Sequence, residues 1–299
     1  MTDEATAFAP GHVTAFFAPY PDDDPAVAGS RGAGVTLSDG VEVTVRPAAG
    51  ADDPTVLLDG EAVEVAAVEG VLDALAPHVG GTGTGADGDA DARVAAVEIR
   101  TDLPVGAGFG VSGGAALGTA LAANDAFDLA RSENELVRVA HAAEVAAGTG
   151  LGDVVAQFRG GLPIRLEPGA PGHGAFDGLP ARPRVEYVTF GELSTAEVLG
   201  GDLDPVRAAG EAALTRLRRT PSLPELLAAA REFADDAGLL VPEVAEAIEA
   251  AEAEGSPASM AMLGRTAFAL GTGLSDAGYD ATACAVHPTG ASLRPVETE

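Results

Sequence analysis

Hydrophobic and polar positions along this chain follow two different periods, and the switches between them mark its elements. Val41-Glu42-Val43-Thr44-Val45 alternates strictly, as a strand with one wet face does. Val94 to Thr101, with five apolar residues in eight, reads as a buried strand. Upstream, residues 5–10 read as a short strand running into Gly11 and His12, followed by apolar 13–17 and a loop rich in Asp and Pro over 19–25. The stretch 56–65 carries Asp59-Gly60 at its centre, a hairpin signal. A glycine-rich turn over 104–114 opens a small-residue helix ending near Leu129. A second helix starts at Ser132, where Ser132-Glu133-Asn134-Glu135 has the capping-box pattern, and runs to Ala147, with Gly148 to Asp153 ending it.

Further on, the pattern predicts a strand over 185–190 and helices over 204–219, 223–237 and 242–254. A strand over 259–263, another helix and a final strand over 283–287 follow. Residues 80–91, almost wholly Gly, Thr, Asp and Ala, read as a surface loop. The Pro- and Gly-rich stretch 168–183 reads as a boundary between two domains, 1–170 and 180–299. The class is mixed α+β.

Composition narrows the chemistry. With 46% hydrophobic residues over 299 positions a sizeable core is available, but aromatics are only 4% and Trp is absent, so that core must be built from Ala, Val and Leu. Against 46 acidic residues stand 17 basic ones, all Arg, for a net charge of -29. Such a field repels phosphate backbones and anionic bilayers, which argues against nucleic acid and membrane partners. Carboxylates spread along the whole chain suit a high-salt cytoplasm that screens them, so a halophile is expected. The absence of Lys removes Walker-type phosphate binding and Schiff-base chemistry. The lone Cys284 cannot form an intramolecular disulfide, and no Cys and His cluster has zinc spacing. An acidic N-terminus and the lack of a long apolar run predict a cytoplasmic protein.

The glycine-rich turn Pro104-Val105-Gly106-Ala107-Gly108-Phe109-Gly110-Val111-Ser112-Gly113-Gly114 follows a strand and begins a helix. Orphan amides and the helix dipole favour an anionic ligand there. Gly108, Gly110 and Gly113 also fit the dinucleotide fingerprint G-x-G-x-x-G, but that fingerprint belongs on the first strand of a parallel sheet, and here mixed strand signals precede it. The third reading is structural: a turn that lets a helix close on a sheet.

The same segment resembles the central motif of the GHMP kinases, which wraps the phosphates of ATP. Three further stretches are similar to that family in the same order. Phe8-Ala9-Pro10-Gly11-His12-Val13-Thr14 resembles its N-terminal substrate motif. Gly150-Leu151-Gly152-Asp153 with Gly160-Gly161 resembles the segment carrying the catalytic aspartate, and Met262-Leu263-Gly264-Arg265-Thr266 stands in place of its C-terminal glycine motif. His12 stands where the family usually has Arg or Lys, and Val111 and Gly113 replace the more common Ser and Ala. Those departures, with Gly29-Ser30-Arg31-Gly32-Ala33-Gly34, are similar to the archaeal branch acting on pantoate.

The resemblance implies an N-terminal ribosomal-protein-S5-like α/β domain followed by a ferredoxin-like α+β domain. It implies ATP and Mg²⁺ as cofactors, a small-molecule substrate, pantoate, and a homodimer as the expected assembly. It places Pro104, Gly106, Gly108, Gly110, Ser112, Gly113 and Gly114 on the nucleotide, Ser112 and Glu144 on Mg²⁺, and Asp153 on the substrate hydroxyl as base or orienter. A pantoate carboxylate calls for Arg, with Arg31, Arg165 and Arg265 as candidates and Arg165 with Ser30 favoured. His12 is a further substrate candidate, and His141, one turn before Glu144, is placed to pair with it. Other readings stay open: a GHMP kinase for homoserine, shikimate or mevalonate, a relative making a C-glycoside on the same fold, or a non-catalytic nucleotide-binding module.

Overall fold

A computed structural model of the chain describes residues 4–48, 54–79, 94–192, 201 and 203–295; the loop expected over 80–91 lies outside them. Two long antiparallel strands, β1 (Ala5–Tyr20) and β2 (Gly29–Ala48), form its spine. Around them stand β3 (Thr55–Leu58), β4 (Glu61–Ala62) and β5 (Val94–Thr101), in the order β1-β2-β5-β3-β4. β6 (Leu162–Glu167) pairs with β2 and β7 (Ala175–Leu179) with β6, so the Pro- and Gly-rich stretch carries a strand. A second sheet, β11-β8-β10-β9, is built from β8 (Arg184–Thr189), β9 (Ala258–Ala261), β10 (Thr266–Leu270) and β11 (Thr282–Ala285). β12 (Ser292–Leu293) returns to the first sheet beside β1.

The early segment is thus longer and more regular than its sequence suggests. Pro10 and Gly11 look like strand breakers, yet the chain passes through them, with register shifts between Pro10 and His12 and between Thr14 and Phe16. β12 pairs only with Ala7 and Phe8, so Pro10 lies on a stretch of β1 edge where its missing N–H is tolerated. Ser30 and Arg31, expected ahead of a strand, lie within β2.

Helices α1 (Ala66–Val79), α2 (Val111–Ala126), α3 (Glu133–Ala147) and α4 (Asp153–Arg159) belong to the first half. α2 is buried along almost its whole length, and glycine allows its close approach to the sheet: a Cβ on Gly118 would meet Val43 Cγ2 at 2.5 Å. α3 begins as its capping box requires, with Ser132 Oγ accepting from the Glu135 amide at 3.3 Å, and ends on Gly148 in the left-handed region. On the second half lie α5 (Asp204–Arg219), α6 (Leu223–Asp236), α7 (Pro242–Ala253) and the one-turn α8 (Gly273–Asp276). After β9 the chain makes β10, which the sequence pattern does not predict, before the expected helix, which is the one-turn α8.

The core is mostly Ala, Val and Leu, with few rings. Phe233 of α6 packs its edge on Phe17 of β1 at 5.7 Å between centroids, and Phe109 of the glycine-rich turn lies 4.6 Å from Tyr187 of β8. These contacts lock the second sheet and its helices against the spine.

Candidate active site

The glycine-rich turn ends at Gly110, held at φ 63, and α2 starts without a side-chain cap. Its first intrahelical bond runs from the Gly114 amide to Gly110 O at 2.9 Å, so the amides before it have no partner within the helix. They open onto a cavity of about 490 Å³ lined by Gly106, Gly108, Gly110, Ser112, Glu144 and Asp153 among others. Pro104 lies outside it. Gly113 and Gly114 instead allow close packing behind the turn, since a Cβ on Gly113 would come within 2.6 Å of Glu144 Oε1 and one on Gly114 within 3.0 Å of Val41.

Asp153 is the first residue of α4, and its carboxylate is only 16% exposed. His12 Nδ1–H donates to its Oδ1 at 2.6 Å. Burial pushes the Asp153 carboxyl up, but the His12 hydrogen bond, the Arg165 charge and a Thr14 hydrogen bond together outweigh it and hold it below the usual carboxylate range. His12 is itself fully buried, and that burial lowers its basicity against the pull of Asp153. A neutral ring with its proton on Nδ1 fits both facts, and its Nε2 has no partner. His12 therefore lines neither cavity described here and touches Asp153 instead of open space.

Glu144, near the end of α3, is buried, and its Oε1 has no hydrogen-bond partner. Desolvation, and then the charge of Asp153, raise it well above the ordinary range. Ser112 Oγ donates to Thr149 Oγ1 at 2.9 Å on the rim above it. His141 does not pair with Glu144 as its spacing suggests, because its Nε2 donates to Ala28 O at 2.8 Å.

A second, narrow cavity of about 20 Å³ is lined by Thr14, Phe17, Ser30, Leu151, Gly152, Asp153, Arg165 and Leu263. Thr14, Asp153 and Leu263 line both cavities, so the two meet at the Asp153 carboxylate. Arg165 is 2% exposed; its Nε donates to Ser30 O at 3.3 Å and its Nη1 has no partner. Gly152 makes room, since a Cβ there would come within 2.9 Å of both Arg165 Nε and Ser30 Oγ.

A protein-family model described as GHMP kinases N terminal domain matches residues 66–161, the span from α1 through the glycine-rich turn to Gly161. The chain is 39% identical over 274 residues to a pantoate kinase of Thermococcus kodakarensis, covering 88% of this chain and 86% of that one. The chain belongs to the GHMP kinase family. Within it, a pantoate kinase of Methanospirillum hungatei is 34% identical over 268 residues, covering 89% of this kinase and 87% of that one. A solved structure described as a phosphotransferase related to the CoA biosynthesis pathway is 32% identical, covers 97% of this chain and 98% of its own, and superposes with a TM-score of 0.84.

Two of the arginines singled out from the sequence of this kinase lie elsewhere. Arg31 leaves β2 beside Ser30, donates to Leu166 O at 2.6 Å and pairs with Glu167 and Glu211. Arg265 pairs with Glu243. Neither lines the two cavities. The structure adds four residues to which sequence pattern assigns no role. Thr14 lies in the N-terminal motif but is not polar enough to stand out, and Thr149 is hidden between two glycines. Gln157 Nε2 donates to both Pro10 O and Gly110 O at 2.9 Å, tying the glycine-rich turn to β1. Leu263 adopts φ 63, a conformation that costs a residue with a Cβ about 1–2 kcal/mol. Only the folded chain brings Thr14, Thr149 and Leu263 to one cavity.

Proposed function

We propose that this kinase transfers the γ-phosphoryl group of ATP to the primary hydroxyl of (R)-pantoate, giving 4-phosphopantoate for coenzyme A biosynthesis. The observation that carries this reading is the meeting of two cavities at Asp153, one rimmed by helix-start amides and the other holding a buried arginine with a free N–H. Phosphoryl transfer asks mainly for positioning and charge stabilisation, and these residues supply both. The first-turn amides of α2 bind the phosphates, with no Lys required.

Arg165, with Ser30 beside it, takes the substrate carboxylate. That places the far end of a small hydroxy acid toward Asp153, whose ionised carboxylate accepts the hydroxyl proton or orients it. The donor set suits Mg²⁺: Ser112 Oγ and the orphaned Glu144 Oε1 are hard oxygens, and Mg²⁺ takes one or two protein ligands beside phosphate. When bound there, the ion would neutralise charge developing on the phosphates.

The pantoate kinases similar to this chain over most of its length support pantoate over other small alcohols. The test is ATP consumption at high salt with pantoate, homoserine, shikimate or mevalonate as acceptor, with the product identified by mass. ADP formation dependent on pantoate, with 4-phosphopantoate as product, is expected. Turnover with a different acceptor and none with pantoate would overturn the substrate assignment.

A further inference from the structure

Leu263 sits in the four-residue turn between β9 and β10, whose ends pair as Ala261 with Thr266. The turn is clamped on both sides. The Met262 amide donates to Thr14 O at 2.9 Å, while Thr266 Oγ1 donates to Ala107 O at 2.8 Å. Gly264 lies so close to the glycine-rich turn that a Cβ on it would fall on Ala107 O. Between these anchors Leu263 is held at φ 63, a region in which Gly or Asn would sit without strain. A branched apolar side chain is kept at a position where local conformation disfavours it. Leu263 is half-buried, and its side chain packs on the core at the place where the two cavities meet.

We propose that Leu263 is the apolar wall that keeps water away from the transfer point and so sets the choice between pantoate and water as phosphoryl acceptor. This rests on the kinase reading above. In the productive step the pantoate hydroxyl oxygen bonds to the γ-phosphorus, the bond from that phosphorus to the ADP oxygen breaks, and the hydroxyl proton leaves by way of Asp153. In the competing step a water oxygen takes the place of the hydroxyl, giving ADP, inorganic phosphate and a proton. Positioning by Arg165 acts only on pantoate, so discrimination against a smaller nucleophile must come from excluding it. Thr14 and Asp153, the other residues shared by both cavities, are polar and attract water; Leu263 is the apolar member of the three.

The test measures ADP and phosphopantoate together, with and without pantoate, for the wild type, Leu263→Gly and Leu263→Met. Leu263→Gly removes the wall and relieves the backbone, while Leu263→Met keeps apolar bulk. Wild type and Leu263→Met should form ADP and phosphopantoate in step. In Leu263→Gly, ATP hydrolysis without pantoate should rise by about tenfold or more, with ADP in clear excess over phosphopantoate. A poorly folded variant lowers both products equally, so the ratio separates a lost wall from lost structure. An unchanged ratio in Leu263→Gly, whether its rates are retained or lost, would overturn the proposal. Failure of the wild type to phosphorylate pantoate would sink the substrate assignment instead, and raised hydrolysis in Leu263→Gly would then still support the wall.

Discussion

Asp153 and Glu144 stand at the same cavity, yet their surroundings push the two carboxyl groups apart. Asp153 is held below the usual range by His12 and Arg165 against the effect of its burial, while desolvation and the neighbouring charge raise Glu144. The two shifts therefore run in opposite directions, Glu144 holding its proton more readily than Asp153, and a cation bound at Glu144 would have to displace that proton. A raised folded value means that the native state holds this proton more tightly than the unfolded chain does. Its stabilisation is complete below the ordinary carboxylate pKa and is lost as pH rises toward the raised value. Without nucleotide or metal, Tm should accordingly fall as pH rises above the ordinary carboxylate range, and Glu144→Gln should flatten that slope. An equal slope in the variant would show that Glu144 is not the group responsible.

At the same scale, Asp153→Asn should lower kcat by roughly 10²- to 10⁴-fold while leaving the unfolding transition in place. His12 touches Asp153 and lines neither cavity, so its expected effect runs through that carboxylate. His12→Leu should cost about 2 kcal/mol, roughly thirtyfold in kcat, with the KM values for ATP and pantoate little changed. His12→Asn, whose amide N–H can stand near the lost ring N–H, should recover part of that. A KM effect on pantoate larger than the kcat effect would return His12 to the substrate.

Among the elements, the strongly punctuated ones were legible in sequence. The capping box of α3, the Asp59-Gly60 hairpin, and the strict alternation in β2 each carry a local signal that tertiary packing has no reason to override. α4 was hidden by the glycines around it, and β10 by a short apolar run, Thr266-Ala267-Phe268-Ala269-Leu270, whose periodicity does not separate strand from helix. The glycine-rich turn was visible, but its dependence on the β9–β10 turn was not. Gly264 sets that dependence. Gly264→Ala should force the two turns apart, raising the KM for ATP several-fold and lowering Tm. Kinetics and Tm both indistinguishable from the wild type would show that the turns do not bear on each other.

For the molecule as a whole, the charge was plain from composition and the class from the order of elements, whereas the site was not. Thr14, Asp153 and Leu263 belong to three motifs spread over most of the chain, and nothing in local pattern says that they share the boundary of two cavities. Nor does pattern say which of three arginines turns inward. Arg31 is taken up by Glu167 and Glu211 and Arg265 pairs with Glu243, and of the three only Arg165 lines a cavity with a buried, free N–H. A net charge of -29 has its own consequence, because self-repulsion opposes the compact state unless salt screens it. Tm should climb steadily as KCl is raised from low to molar concentration. A Tm indifferent to salt would count against adaptation to a salty cytoplasm.

The most direct measurement is a crystal structure of the protein with pantoate and a non-hydrolysable ATP analogue. It should place the terminal phosphate at the start of α2, the pantoate carboxylate on Arg165, and the primary hydroxyl within hydrogen-bond reach of Asp153. Pantoate bound away from Arg165, or its hydroxyl out of reach of Asp153, would contradict the assignment.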